Sequence, residues 1–582
     1  MLNWFGQIFN LNGRAMREVT QENISAANAT AGIAYKNQGD AFLDQGDWES
    51  AALCYQHAVA SNPDYADAHN NLGLALSKQH KFDQAKEHLL LAISLKPNSH
   101  NAYYALGSIA HESGMLDEAI EQIKKAVAIK PDFTEALDFL GNLSRERGDT
   151  KESISYYRKS ISYNPLQTDT YSNLLMALQA GEALTQAEMH AEHRQFAERF
   201  ESPLQHAWQP HANDRRTERR LKIGYVSGDL RRHSVALFIL PILANHDRKK
   251  FEIYCYHNFD GGDDFTTQFA ALSNRFIPCA MMSDHDLSER IRADGIDILV
   301  DLSGHTGNNR LLTFARKPAP IQVTYLGYID TTGLSTMDYR LTNADADPPG
   351  NDRFYSEELY RFSDRLWWTF RPAPNLPEVS PLPALANGFV TFASNNQIAK
   401  ISAPMLEAWA AILHAVPDSR MVLMGITSNA AQISLENRFA IHGVVKERVV
   451  FHRFAALDEY RQRLLQTDIC LDTFPYNGGT TTCETLWLGL PLVTMMGQSF
   501  VSRMGFAILK DLGLPDLAAT SYPEYVNIAV QLAQNLERLS ALRSGMRARL
   551  AKSALSDERG FTLDLESAYR TMWEKYSTRI VD

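Results

Sequence analysis

The segment with the most chemical content is DTFPYNGGTTTCETLW, residues 472–487. Gly478 and Gly479 followed by Thr480, Thr481 and Thr482 read as a tight turn entering a helix. Such a turn presents backbone N–H groups, hydroxyls and the positive end of a helix dipole, a combination that binds anions. The glycines also let a phosphate come close to the backbone. The same string suits a plain helix start in which a threonine supplies the N-cap. Other polar clusters follow strand-like runs: SGDLRRHS (227–234), DLSGHTGNNR (301–310), LGYIDTTG (326–333) and FASNNQIAK (392–400). There is no GxGxxG after a strand, no P-loop, no HExxH and no GxSxG elbow. Asp345 and Asp347 have the form of a metal-binding Asp-x-Asp pair. They sit in a proline-bounded acidic loop that is expected to be solvated, so no metal is expected.

These clusters need elements to position them. After about residue 220, short β-branched runs alternate with helix-length segments, the pattern of parallel-sheet units. Strands are predicted at 222–227, 251–257, 296–302 and 321–328, then at 389–393, 421–424, 449–452, 469–472 and 492–495. The Pro-rich stretch 371–388 between the two sets reads as a linker. Two doubly wound halves with a cleft between them follow, with ligands expected at the carboxyl ends of the strands.

Ahead of this region the chain repeats itself every 34 residues. Gly39, Gly73, Gly107 and Gly141 are in phase, as are Pro63, Pro97, Pro131 and Pro165. Ala51, Ala85, Ala119 and Ser153 keep register, and so do Ala58, Ala92, Ala126 and Ser160. This is the tetratricopeptide pattern: small residues let two helices approach, and the proline ends the second one. Repeats are predicted at 32–65, 66–99, 100–133 and 134–167, with a degenerate fifth at 168–200 capping the stack against the next domain. Asn37, Asn71 and Asn173 fall at one inward-facing position, where carboxamides pair with a peptide backbone or simply face water. Ala105 and Phe139 interrupt that ladder. The expected domains are an N-terminal segment (1–31), the array (32–200) and two Rossmann-like domains (201–375 and 376–582).

Composition narrows the class. The 582 residues are 45% hydrophobic and 21% charged, with a net charge of −11. That balance argues against a general nucleic-acid or membrane binder. The cluster Arg215, Arg216, Arg219, Arg220 and Lys222 is expected to be a solvated linker. Five cysteines without a CxxC pair suggest neither zinc nor a redox motif, and suit a reducing compartment. With no basic leader at the N-terminus and no apolar run of membrane-span length, cytoplasm is the expected location.

At its motifs the chain resembles the glycosyltransferase family that contains protein O-GlcNAc transferase and SPINDLY. The carriers are KIGYVSGDLRRHS, DLSGHTGNNR, RKPAPIQVTYLGYIDTTG, FASNNQIAK and CLDTFPYNGGTTTCETLW. The resemblance implies a GT-B fold and an inverting, metal-independent transfer of sugar from a nucleotide-sugar to Ser/Thr hydroxyls of proteins, without a cofactor. UDP-GlcNAc is the first expected donor, and SPINDLY-like use of GDP-fucose the alternative. By position, Lys400 would sit on the leaving diphosphate with Gln397, Thr480 and Thr481. Glu484 would bind ribose and Tyr460 would stack on the base. His233 matches a histidine assigned as general base or as orienter. His305 either faces the cleft as a catalytic group or is a satisfied loop histidine. Gly479 and Leu457 replace a histidine and a lysine of the animal enzyme, which leaves the base and sugar open. A non-catalytic repeat scaffold is the alternative from another class.

Overall fold

The computed structural model describes residues 28–181, 184–373 and 376–578, so residues 1–27 of the expected N-terminal segment lie outside them. The chain divides into two compact units, one up to Leu143 and one from Ser144.

The first unit is a stack of antiparallel helix pairs. It contains residues 28–44 and the helices Trp48–Ser61, Ala66–Lys78, Phe82–Leu95, His100–Glu112 and Leu116–Ile129. The phased glycines mark where paired helices touch. A Cβ on Gly39 would lie 2.6 Å from the Tyr55 ring, and one on Gly73 would lie 2.6 Å from Leu89. The facing knobs Tyr55, Leu89 and Ile123 are fully buried. Asn37 is exposed. Asn71 is tied within the array, donating to Asp40 (3.0 Å), which also accepts from the Tyr55 hydroxyl (2.8 Å).

The second unit holds the last repeat helix, Thr150–Tyr163, the helices Thr168–Ala180 and Gln186–Phe200, and two parallel sheets. The first sheet contains β1 (Leu221–Ser227), β2 (Phe251–His257), β3 (Arg275–Pro278), β4 (Ile298–Asp301), β5 (Ile321–Thr324), β6 (Tyr339–Asn343) and β7 (Glu358–Phe362). Its order is β3-β2-β1-β4-β5-β6-β7. The second contains β8 (Thr391–Ser394), β9 (Arg420–Ile426), β10 (Val449–Arg453), β11 (Ile469–Leu471), β12 (Leu492–Met495) and β13 (Ala518–Ala519), in the order β10-β9-β8-β11-β12-β13. In each, the direction of winding reverses beside the first strand. A crevice therefore opens at the carboxyl ends of β1 and β4, and again at β8 and β11.

The helices Thr168–Ala180 and Gln186–Phe200 meet the next domain, as expected of the degenerate fifth repeat, and one other expectation changes. Tyr171, Leu175, Phe196 and Phe200 share one core with Val226, Tyr254 and Ile296 of the first sheet region. The basic cluster is not a solvated linker. The Arg219 guanidinium pairs with buried Asp297 and lies over Trp573, Arg215 lies over Tyr576, and the Lys222 ammonium donates to the Asp294 carbonyl (2.7 Å). Those aromatic partners belong to the last helix, Glu558–Thr578, which returns from the second sheet to pack on the first. There Glu566 accepts from His246 Nδ1 (2.9 Å). The returning chain runs beside the outgoing one. The Phe370 N–H and the Thr369 hydroxyl both donate to the Leu555 carbonyl (2.9 Å each), and Arg371 pairs with Glu558. Among the described residues, no helix is long and apolar enough to cross a membrane.

Replacing a helical glycine by alanine normally gains about 1 kcal/mol of helix propensity. At Gly39 the new methyl meets a rigid, hydrogen-bonded ring, and overpacking costs about 1–3 kcal/mol. Gly39→Ala is therefore expected to lower the stability of the repeat unit, read as an earlier midpoint in urea unfolding followed by circular dichroism.

Candidate active site

The crevice of the second sheet is organised by a carboxylate. Asp472 follows β11 and is 1% exposed. Its Oδ1 accepts from the N–H of Thr473 (2.9 Å), the N–H of Gly478 (2.8 Å) and Asn396 Nδ2 (3.0 Å). Its Oδ2 accepts from the Thr494 hydroxyl (2.7 Å). One side chain thus joins the segments that follow β8 and β11 to β12. Burial pushes its pKa up, while these donors and the Lys400 charge oppose the rise.

The fold this imposes on Gly478 and Gly479 explains both residues. A Cβ on Gly478 would lie 2.5 Å from Thr481 Oγ1, and one on Gly479 would lie 3.2 Å from the Trp368 ring. The helix Thr480–Trp487 starts at Gly479 without any side-chain cap. The threonine-capped start is therefore not what forms. The Thr481 hydroxyl donates instead to Asn396 Oδ1 (3.2 Å), and the Thr482 hydroxyl donates back to the Gly478 carbonyl (3.0 Å). The positive end of the helix faces the crevice uncapped, the arrangement that favours an anion.

Lys400 comes to the same place from the other side, on the short turn Ile398–Lys400 after β8. Its ammonium donates to the Asn477 carbonyl (3.3 Å) and lies 3.8 Å from the Tyr476 ring centroid. The residue as a whole is half-buried, yet its ammonium has lost most of its water. That loss draws the pKa down to about 8 against the pull of Asp472. Asn477 is itself pinned, donating to the Thr473 carbonyl (2.9 Å) and accepting from the Gly505 N–H (3.3 Å). Gln397 is exposed at the start of the turn.

Tyr460 and Glu484 lie at the edge of this group. The Tyr460 hydroxyl accepts from Asn395 Nδ2 (2.7 Å), which also donates to Thr485 Oγ1 (2.9 Å). Glu484 shares a small recess with Tyr460, Arg461 and Trp487. Burial raises its pKa, with Arg461 opposing. Asn395 and Asn396 therefore link the tyrosine to the threonine turn. Asp472, Asn396, Tyr476 and Asn477 escaped sequence reasoning. The one available signal was an aspartate ending a central strand just before a glycine-bearing loop, which occurs twice, at Asp301 and Asp472.

The histidines belong to the first sheet. His233 follows β1 and is exposed, with Nδ1 3.5 Å from Asp229. Partial burial lowers its pKa, Asp229 opposes this and Arg231 adds to it. Of the two expectations for His305, the structure shows the hydrogen-bonded loop histidine, at the wall of a polar cavity. It is 1% exposed, its Nε2–H donates to the Thr332 carbonyl (2.9 Å), and its Nδ1 accepts from the Ser172 hydroxyl (3.1 Å). With Phe196 packed edge-on at 4.6 Å, it is a neutral structural residue whose two nitrogens are occupied. Asn173 lines a polar cavity of about 660 Å³ with Ser172, Asn258 and Asn309. Asn37 and Asn71 belong to the other unit. Asp347 is not solvated as expected but buried, accepting from Thr342 (2.7 Å) and Tyr355 (2.6 Å), and Asp345 pairs with Lys510 (2.6 Å).

Helical repeats followed by two doubly wound sheets, with a cationic crevice in the second, define a class. The chain belongs to glycosyl transferase family 41, whose model matches residues 171–367 and 382–565. Tetratricopeptide models match 39–80, 66–99, 100–133 and 136–168. The chain is 40% identical over 422 residues to the Solanum lycopersicum protein named probable UDP-N-acetylglucosamine–peptide N-acetylglucosaminyltransferase SPINDLY, a match covering 69% of this chain and 44% of that one. It is 29% identical over 364 residues to the Arabidopsis thaliana protein of the same enzyme name called SEC, covering 61% and 37%. The chain thus spans less than half the length of these relatives. A solved mutant of Thermobaculum terrenum O-GlcNAc transferase superposes with a TM-score of 0.80 at 33% identity, covering 88% of this chain and 98% of that one.

Burial draws the His305 pKa down to about 3, against about 6.5 in an unfolded chain. Between these values the unfolded state binds the extra proton, so the stability this histidine contributes is lost as pH falls from about 6.5 toward 3. His305→Gln is expected to flatten the pH dependence of urea unfolding in that window, by up to about 1.4 kcal/mol per pH unit. An unchanged dependence would contradict the neutral buried ring.

Proposed function

We propose that the chain is a protein O-glycosyltransferase that moves a sugar from a nucleoside-diphosphate donor to Ser/Thr hydroxyls. The observation that carries this is the desolvated Lys400 ammonium beside an uncapped helix start, at the switch point of the second sheet. The acceptor hydroxyl oxygen attacks the anomeric carbon from the face opposite the diphosphate. The bond from that carbon to the diphosphate oxygen breaks, its electron pair leaves with the diphosphate, and configuration inverts. Lys400 and the N–H groups of Thr480 and Thr481 neutralise the charge that develops there, where a dry, preformed site is most effective. That positive charge comes from the chain itself, so the scheme includes no metal. His233, which environment keeps neutral near pH 7, takes the hydroxyl proton, or orients the hydroxyl while the proton passes to solvent water. Gln397 joins the diphosphate contacts, Glu484 binds ribose and Tyr460 stacks on the base.

Residues 376–557 form the donor side, and 201–373 with the returning helix Glu558–Thr578 form the acceptor side. The repeats present the polypeptide, with the exposed Asn37 as a backbone contact, while Asn71 is already committed to Asp40. UDP-GlcNAc is the first donor, in line with the names of the curated relatives. GDP-fucose is the second reading, because position 479 offers no side chain to the sugar and Trp368 closes on it. The five cysteines, all buried and unpaired, suit the cytoplasm.

Lys400→Ala is expected to reduce transfer by about 10²–10³-fold with an unchanged melting temperature. The readout is intact-mass gain on a mixed peptide acceptor supplied with a panel of UDP- and GDP-sugars. A HexNAc or deoxyhexose increment identifies the donor. Near-normal transfer by the variant sinks the assignment, and no thermal shift of the wild-type chain with either UDP or GDP favours the scaffold reading. In the wild type, transfer falls as pH rises past about 8, where the ammonium loses its proton.

A further inference from the structure

We infer that the turn Glu146–Thr150, which leads into the last repeat helix, is a positioning element for Lys400, so that this turn and the crevice of the second sheet are mechanically joined. The inference rests on Lys400 serving a diphosphate, as proposed above.

The turn that carries Lys400 is only three residues long, Ile398–Lys400. Its own backbone bonds are local: Lys400 N–H to the Gln397 carbonyl (2.9 Å) and Ile401 N–H to the Ile398 carbonyl (3.0 Å). Such a turn takes its orientation from what packs on it. The repeat turn supplies that packing. Gly148 has φ +90°, and a Cβ there would lie 2.9 Å from Ile398 Cγ1, so backbone and side chain meet with no room between them. The Thr150 hydroxyl donates to the Ala399 carbonyl (3.3 Å), one residue from Lys400.

The repeat turn is held in its place from a second direction. The Thr427 hydroxyl, after β9, donates to the Glu146 carbonyl (3.1 Å). Arg438 donates to the Ile401 carbonyl (3.0 Å), and the Asp149 charge favours its desolvated guanidinium. Burial raises the pKa of the Tyr476 hydroxyl to about 12, with the Arg145 charge opposing the rise. The Tyr476 ring is the face against which the Lys400 ammonium lies. Segment 146–150 therefore packs on the backbone and side chain of the turn that carries the lysine. A change in the last repeat on engaging polypeptide is transmitted over a few ångströms to the group that holds the leaving diphosphate. Thr150, Thr427 and Arg438 are positioning residues here, since none of them is assigned a donor contact.

The test uses the full chain and UDP and GDP as probes, with binding measured by calorimetry from pH 6.5 to 9.5. Lys400→Met should abolish nucleotide binding or weaken it by more than about tenfold; if it does not, the reading of Lys400 itself fails. In the wild type, binding is expected to weaken above pH 8, where Lys400, with the Asp472 charge favouring its protonated form and the Tyr476 ring against it, loses its proton. The double variant Thr150→Ala/Thr427→Ala is expected to bind about three- to tenfold more weakly at pH 7. Its alkaline limb should move upward as water reaches the ammonium. Thr150→Ser, which keeps the hydroxyl, should behave as wild type. Arg438→Met tests the same contact without touching either threonine. A merely structural loss would lower the melting temperature and leave the pH limb in place. Unchanged affinity and an unmoved limb in both the double variant and Arg438→Met, with Lys400→Met still defective, would overturn the positioning role alone.

Discussion

A carboxylate buried at the end of a central strand, Asp472, is what the crevice of the second sheet is built around. Its four acceptor contacts come from three different segments, those after β8 and β11 and strand β12 itself. In a parallel sheet these segments leave the same edge and would otherwise be independent loops. With the carboxylate satisfied, the Gly478–Gly479 turn has one shape, the helix after it starts uncapped, and the Asn477 carbonyl points at Lys400. A buried charge is costly unless hydrogen-bonded. The donors that satisfy Asp472 are the same groups that shape the site, so its stability and its geometry are one requirement. The first sheet repeats the device with Asp301, which accepts from the N–H groups of Ser303 and Gly304 and from the Thr324 hydroxyl.

Much of this was legible from residue order. Nine strands were anticipated in both halves because each is an apolar, β-branched run. The four that escaped notice have physical excuses. β6 buries Arg340, Thr342 and Asn343, so its sequence does not read as apolar. β7 carries Glu358 and Arg361, β3 is a four-residue edge strand, and β13 has two residues. The repeats were the clearest element, since a glycine opposite a bulky knob is a packing statement that recurs every 34 residues.

The site was legible in part. The glycine–threonine turn announced itself by composition, but Lys400 carries no local signal and was found only through family resemblance. His305 shows the opposite failure. A histidine among glycines and asparagines at a strand end has the right chemistry, and nothing in its neighbourhood reveals that helix Thr168–Ala180 will cover it and Ser172 will occupy its nitrogen. Long-range burial is a property of the fold and is invisible to spacing. The same holds for the basic cluster at 215–222, whose partners Trp573 and Tyr576 lie more than 350 residues away.

The return of the last helix to the first sheet has a further consequence. The polypeptide passes between the two Rossmann-like domains twice, once going out near Phe370 and once coming back near Leu555, and the two passages are hydrogen-bonded side by side. A single strand would let one domain swivel about its own axis. Two strands laced together act as the leather of a door hinge and resist twist, so the two faces of the cleft are held in one register.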